Sequence, residues 1–168
     1  MSATAHPAIA MRPMLPADVP LLVEIFRASI EELTADDYSE SQREAWVSVA
    51  DDEAAFGARL AQQLTLIGTI EGSPVGFASL KAPDVIDMLY VHPAASEHGV
   101  ATMLIDALEK LAAARGAGKL TAEVSDTALD FFRKRGFVAQ TRNTRPLGSE
   151  WLANTTMEKK FPAKEKAS

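Results

Sequence analysis

Asp87-Met88-Leu89-Tyr90-Val91-His92-Pro93, Ala94-Ala95-Ser96-Glu97-His98, then Gly99-Val100-Ala101 is the stretch on which the reading of the fold turns. Val85 to Val91 is apolar enough for a strand, and His92-Pro93 closes it. From Gly99 to about Arg115 the apolar residues Val100, Met103, Leu104, Ala107, Leu108 and Leu111 recur by three and four, which predicts a long helix with one buried stripe. Gly116 and Gly118 end it. A strand therefore feeds a loop, and the loop feeds a helix. The first amides of a helix have no partner inside it, and the aligned peptide dipoles leave that end partly positive. With small residues at 99 and 101 an anionic group can approach the backbone closely, so the loop is a candidate phosphate site that needs no lysine. A tight turn without a ligand is the plainer alternative.

Outward from this loop, the chain alternates strands and helices. Ile9 to Leu15 reads as a first strand, Asp18 as the N-cap of a helix to about Leu33, and Ser39 with Gln42 as the capping box of a second helix through Trp46. Asp51 and Asp52 open a third helix ending near Gln62. Leu64–Ile70 and Val75–Leu80 flank the turn Glu71-Gly72-Ser73-Pro74 and predict a hairpin. After the long helix come a strand at Lys119–Ser125, a short helix capped by Thr127 and Asp130 and stopped at Gly136, and strands at Phe137–Thr141 and Trp151–Lys159. Hairpins at both ends of an alternating pattern predict an α/β (α+β) domain, a mixed sheet of seven strands flanked by helices.

The 168 residues suit one domain with a core from about 9 to 161 and a polar tail at 162–168. Hydrophobic residues make up 47% and charged residues 24%, ordinary globular values. No apolar run approaches the ~20 residues of a membrane helix, and Met1–Pro13 lacks the pattern of a secretory signal, so a cytoplasmic protein without membrane attachment is expected. Residues 1–130 hold 8 basic and 20 acidic side chains, a net of −12, whereas residues 131–168 hold 9 and 3, a net of +6. An acidic body argues against a nucleic-acid partner and favours a cationic acceptor such as an amine, although a merely solvated acidic surface has the same composition. With 3 scattered histidines and no cysteine, no metal cluster is expected.

The loop resembles the pyrophosphate loop of the GNAT superfamily of N-acetyltransferases, written Gln/Arg-x-x-Gly-x-Gly/Ala. Gly99 and Ala101 match, and Ser96 departs. Leu89-Tyr90-Val91-His92-Pro93 resembles the end of the family's fourth strand, Ala128–Phe137 its aromatic-pair helix before Gly-Phe, Arg12 with Asp18 its opening, and Met157-Glu158-Lys159 its closing strand. The resemblance implies a mostly antiparallel sheet splayed between strands four and five, with acetyl-CoA as cosubstrate. Leu89, Tyr90 and Val91 would line the pantetheine arm through their main chain. Glu97, His98, Gly99, Val100, Ala101 and Thr102 would supply the amides at the pyrophosphate, with Glu97 turned to solvent. Arg133 and Lys134 are candidates for the nucleotide end, with a solvated helix face as the alternative. A monomer or homodimer is implied.

The expected activity is transfer of acetyl from acetyl-CoA to a primary amine of a small molecule or peptide by direct attack in a ternary complex. Such transfer needs a deprotonated amine, a polarised thioester oxygen and a stabilised thiolate. The family's frequent tyrosine, four residues before the Gly-Phe glycine, is here Phe132, and its usual asparagine after the fifth strand is missing, with Ser125 or Thr127 nearby. Glu123, Asp87 and Tyr38 are the catalytic candidates. Thr121, Glu123 and Ser125 share one strand face, and a carboxylate in an apolar strand must be paired or wet. Glu123 and Asp87 have a structural reading too, as acceptors for neighbouring donors. The segment around Tyr38 and Trp46 resembles a subgroup of small bacterial members whose early helices form the acceptor side. That makes both residues acceptor-binding candidates, with core aromatics as the alternative. Trp151 and Asn154 are further acceptor-side candidates, and His92 is read as satisfying a turn. Two other functions fit the same residues: an acetyl-CoA-binding sensor or scaffold without turnover, and a domain binding some other phosphate ligand at Gly99.

Overall fold

The computed structural model describes residues 8–162, so nearly all of the expected polar tail lies outside the described residues. Among the described residues seven strands form one sheet: β1 (Ile9–Pro13), β2 (Leu64–Ile70), β3 (Ser73–Lys81), β4 (Val85–Val91), β5 (Lys119–Ser125), β6 (Val138–Leu147) and β7 (Glu150–Lys160). Their spatial order is β1-β2-β3-β4-β5-β7-β6. Every neighbouring pair is antiparallel except β4 with β5. The helices are α1 (Val19–Leu33), α2 (Glu40–Val47), α3 (Glu53–Ala61), α4 (Val100–Ala114) and α5 (Leu129–Lys134). Among the described residues no helix is long and apolar enough to cross a membrane.

Each face of the sheet has its own core. On one, the stripe of α4 buries Val100, Leu104 and Leu108, with Ile105 beside them, against Leu80, Ile86, Leu120, Val124 and Met157. On the other, Leu22, Phe26 and Ile30 of α1 and Phe56 and Leu60 of α3 pack on Ile67, Phe77 and Met88. Fully burying an aliphatic or aromatic side chain of this size contributes about 1.5–3 kcal/mol. These two helical stripes are therefore what clamps the sheet.

Local chemistry holds where it was read, with some differences. Ser39 Oγ accepts from the Gln42 amide at 3.2 Å and Gln42 Oε1 accepts from the Ser39 amide at 2.9 Å, a complete capping box. Asp52 caps α3 through the Ala55 amide at 2.9 Å. Asp18 stands at the N-cap position of α1, but its carboxylate turns back to accept from the Leu15 amide and from both terminal nitrogens of Arg12. Thr127 and Asp130 do not cap α5; Thr127 donates to Asp37 and the Ala128 amide donates to Ser125 Oγ. The turn between β2 and β3 shortens to Glu71-Gly72, both at positive φ, as a tight hairpin of right-handed twist requires. β1 stops at Pro13, two residues early, and β6 runs six residues beyond Thr141. The sequence pattern ends this strand at Thr141, but continuous pairing from Thr141 with Thr156 to Leu147 with Glu150 carries it to the hairpin tip.

Candidate active site

The sheet opens in its middle. β4 and β5 pair only at Val85 with Thr121 and Ile86 with Ala122, and then diverge. The cause lies in the β3–β4 register. Ser79 faces Met88 and Leu80 faces Ile86, leaving Asp87 as an extra residue. Such a bulge bends its strand and raises its twist. β4 therefore leaves β5 from Asp87 onward, and Leu89, Tyr90 and Val91 border the opening.

The loop after β4 is held by its own turn. His92 Nδ1 accepts from the Ala94 amide at 3.1 Å, and the His92 amide donates to Val75 at 2.7 Å, so this histidine satisfies a turn as expected. Glu97 and His98 are exposed. Gly99 caps α4 with φ +80°, a conformation that side chains disfavour. The first α4 amide to reach an acceptor in the helix is that of Met103, on Gly99 O, which leaves the preceding turn's donors at the helix mouth. Val100 anchors this turn. Its side chain is buried over Gly68 of β2 and Gly76 of β3, which face each other across the two strands.

Two cavities meet in the opening. One of about 370 Å³ is mainly apolar and runs between Leu89, Val91, Ser96 and Ala101 on one side and Val124, Ala128, Phe131 and Phe132 on the other. The second, about 450 Å³, is lined by Tyr38, Arg59, Thr121, Arg145, Leu152 and Asn154 among others. Trp46, Ile86, Asp87, Tyr90, Glu123 and Ser125 border both. Of the candidate cofactor residues, Leu89, Tyr90, Val91 and Ala101 line the apolar cavity, while Glu97, His98, Gly99, Val100 and Thr102 belong to the helix mouth without lining it. Arg133 and Lys134 are exposed and line neither cavity, and neither does Trp151, which is 60% exposed.

The three catalytic candidates surround the second cavity in different states. Asp87 is gripped by Arg59 through two 2.9 Å bonds and by Gln63 through a third at 2.9 Å. Burial pushes its carboxyl up, but the bonds from Arg59 and Gln63 together outweigh burial, and its pKa lies below the ordinary value. It stays charged at neutral pH with its oxygens occupied. Tyr38 is buried, donates to Ala153 O at 2.6 Å and accepts from the Asp126 amide at 3.0 Å. Burial raises this phenol, and the Asp126 bond offsets only part of the rise. Glu123 lies on the β5 face opposite the buried Leu120, Ala122 and Val124 and meets Arg145 of β6 at 2.5 Å. Both members of that pair are about half exposed, and such pairs contribute under about 1 kcal/mol.

Tyr90 adds a hydroxyl whose use the sequence did not indicate. Its ring packs edge-on against Phe26, and its oxygen accepts from Trp46 Nε1 at 3.3 Å. An indole N–H can only donate, so the phenol's own proton is directed elsewhere. Burial pushes this phenol up to about 12, which keeps it protonated. Phe132 presents no such group; it is buried edge-on against Phe137. Arg59, Gln63 and Arg145 were also missed, because their partners are distant in the chain.

A mixed sheet opened at its parallel β4–β5 pair, with a helix mouth beside the opening, is the framework of an acyltransferase. The chain belongs to the GNAT acetyltransferases: the family model for the acetyltransferase (GNAT) domain matches residues 34–161. It is 31% identical over 152 residues to the uncharacterized N-acetyltransferase YafP of Escherichia coli K12, covering 90% of this chain and 96% of that one. A crystal structure of a GCN5-related N-acetyltransferase from Rhodopseudomonas palustris superposes with a TM-score of 0.90 at 61% identity, covering 96% of this chain and 99% of that one. The fold is shared too with the PaiA N-acetyltransferase of Thermoplasma acidophilum, solved in complex with coenzyme A, at a TM-score of 0.76 and 22% identity over 92% of this chain and 99% of that one.

Proposed function

We propose that this protein transfers the acetyl group of acetyl-CoA to a primary amine by direct attack in a ternary complex. The observation that carries the reading is the meeting of an apolar cavity and a charged one in the split between β4 and β5. The apolar cavity suits a pantetheine arm lying beside β4, with the free amides of α4 at its pyrophosphate end. The charged cavity suits the acceptor. Substrates entering from the two cavities would meet at the shared wall, which supplies proximity without a covalent enzyme intermediate.

In this assignment Glu123 takes the amine proton, directly or through a water. The neutral nitrogen attacks the thioester carbon, a C–N bond forms, the C–S bond breaks, the thiolate of coenzyme A leaves, and the proton that the attacking nitrogen sheds on becoming an amide goes to that thiolate, giving free coenzyme A. Tyr90 donates its directed hydroxyl proton as a hydrogen bond to the reacting thioester, in place of the helix tyrosine that Phe132 replaces. Asp87 and Tyr38 shape the site. Asp87 pins the bulge to α3, and Tyr38 joins the connection between α1 and α2 to β7 and to the turn after β5.

Phe132 favours a second reading, a protein that binds acetyl-CoA without turnover. Calorimetric titration with acetyl-CoA, run beside ADP and free pantetheine and followed by a screen of amines for coenzyme A release, separates the two. Acetyl-CoA should bind well above either fragment, and at least one amine should release coenzyme A. Binding without release on any amine would favour the sensor, and equal binding of ADP would remove the split-sheet site.

A further inference from the structure

We propose that the acceptor is a free α-amino acid, with its ammonium on Glu123 and its carboxylate on Arg145. The proposal rests on the acetyl-transfer reading above and names the substrate of that same site.

The charged cavity is not acidic, despite the acidic body of the chain. It holds two carboxylates and two arginines in two pairs, Asp87 with Arg59 and Glu123 with Arg145. The pairs differ in how firmly they are made. Asp87 is largely covered and held through three side-chain bonds. Glu123 and Arg145 share one contact, and both are about half exposed. The second pair is the one a ligand can open, because solvent already screens it.

An amine without a carboxylate would take Glu123 and leave the Arg145 guanidinium facing the cavity without its partner. An α-amino acid satisfies both sides. Its opposite charges sit on one carbon, as close together as the two side chains they would meet, so the four groups close into an alternating square. Guanidinium and carboxylate match in planar two-pronged geometry, which a lysine at 145 would match less well. In ω-amino acids the charges lie several bonds apart and cannot engage adjacent partners together. A peptide N-terminus lacks the α-carboxylate altogether. Val85, Leu147 and Leu152 give the side chain an apolar wall, which favours aliphatic over charged amino acids. The products would be an N-acetyl amino acid and coenzyme A.

The test is a panel of free amino acids, each beside its C-terminal amide and its decarboxylated amine, with kcat/KM read from coenzyme A release. Wild-type protein should prefer the free acid to its amide by about tenfold. Arg145→Gln should bring that ratio close to one, and Arg145→Lys should restore part of it. Comparing ratios between variants cancels differences in amine basicity. Titration with acetyl-CoA checks that each variant is folded. A preference that survives in Arg145→Gln overturns the proposal, as does faster reaction of the amides. If acetyl-CoA binds and other amines react but no amino acid does, the proposal fails while acetyl transfer stands. If acetyl-CoA does not bind, acetyl transfer itself fails.

Discussion

Cγ1 of Val100 stands 2.6 Å from where a side chain on Gly68 would begin. This contact ties the first turn of α4 to the middle of β2. A valine side chain is stiff, so a methyl at position 68 must push the turn outward. Gly68→Ala should weaken acetyl-CoA binding by about tenfold and lower the melting temperature by about 2–12 °C, the range expected of overpacking. Calorimetry and thermal melts would read both. Full affinity in a destabilised variant would detach the helix mouth from cofactor binding.

Asp87→Asn tests the clamp on the bulge. The folded carboxyl has its pKa below the ordinary 3.8, so its contribution to stability is fully present above that value and is lost as pH falls through the lower folded value. At pH 7 the variant should be less stable than wild type by about 1–3 kcal/mol. The gap should narrow as pH falls below 3.8, followed as melting temperature against pH. A gap that stays constant across that range would show that the carboxylate's charge is not what holds β4 to α3.

Glu123→Gln keeps the shape of the side chain and removes the proton acceptor. Turnover should fall by about tenfold to a hundredfold, and the acid limb of the kcat/KM profile should change shape. An unaltered profile would restrict Glu123 to binding the acceptor.

Tyr38→Phe removes the bonds to Ala153 O and the Asp126 amide. Loss of these partners should destabilise the protein by about 1–3 kcal/mol. The pH profile of turnover should keep its shape, because the phenol proton is already given to a carbonyl. A shifted profile would return Tyr38 to the chemistry.

Tyr90→Phe deletes the one phenol whose proton is free to face the reaction. We expect kcat to fall about tenfold or more with little change in acetyl-CoA affinity. Phe132→Tyr added to that variant should recover part of the loss, since it restores a hydroxyl to the α5 side of the same apolar cavity. Equal rates in wild type and Tyr90→Phe would leave the thiolate to depart unaided.

The sequence by itself determined the strand-loop-helix unit from Val85 to Arg115, the capping box at Ser39 and the alternation of Glu123 with buried neighbours. Each depends on contacts within a few residues, and helical or strand period exposes them directly. The mixed sheet was legible in the alternation of strands and helices with hairpins at both ends, and the place of the opening only through the resemblance, because motif order carries topology. Tertiary structure alone decided that Asp87 is the bulged residue, that β7 lies between β5 and β6, and which charges face each other. Arg59 lies 28 residues from Asp87, Arg145 lies 22 from Glu123, and Tyr38 lies 115 from Ala153. No local pattern encodes such pairs. They follow from strand register, and register is settled by the burial of whole faces against α1, α3 and α4 rather than by the residues that end up touching.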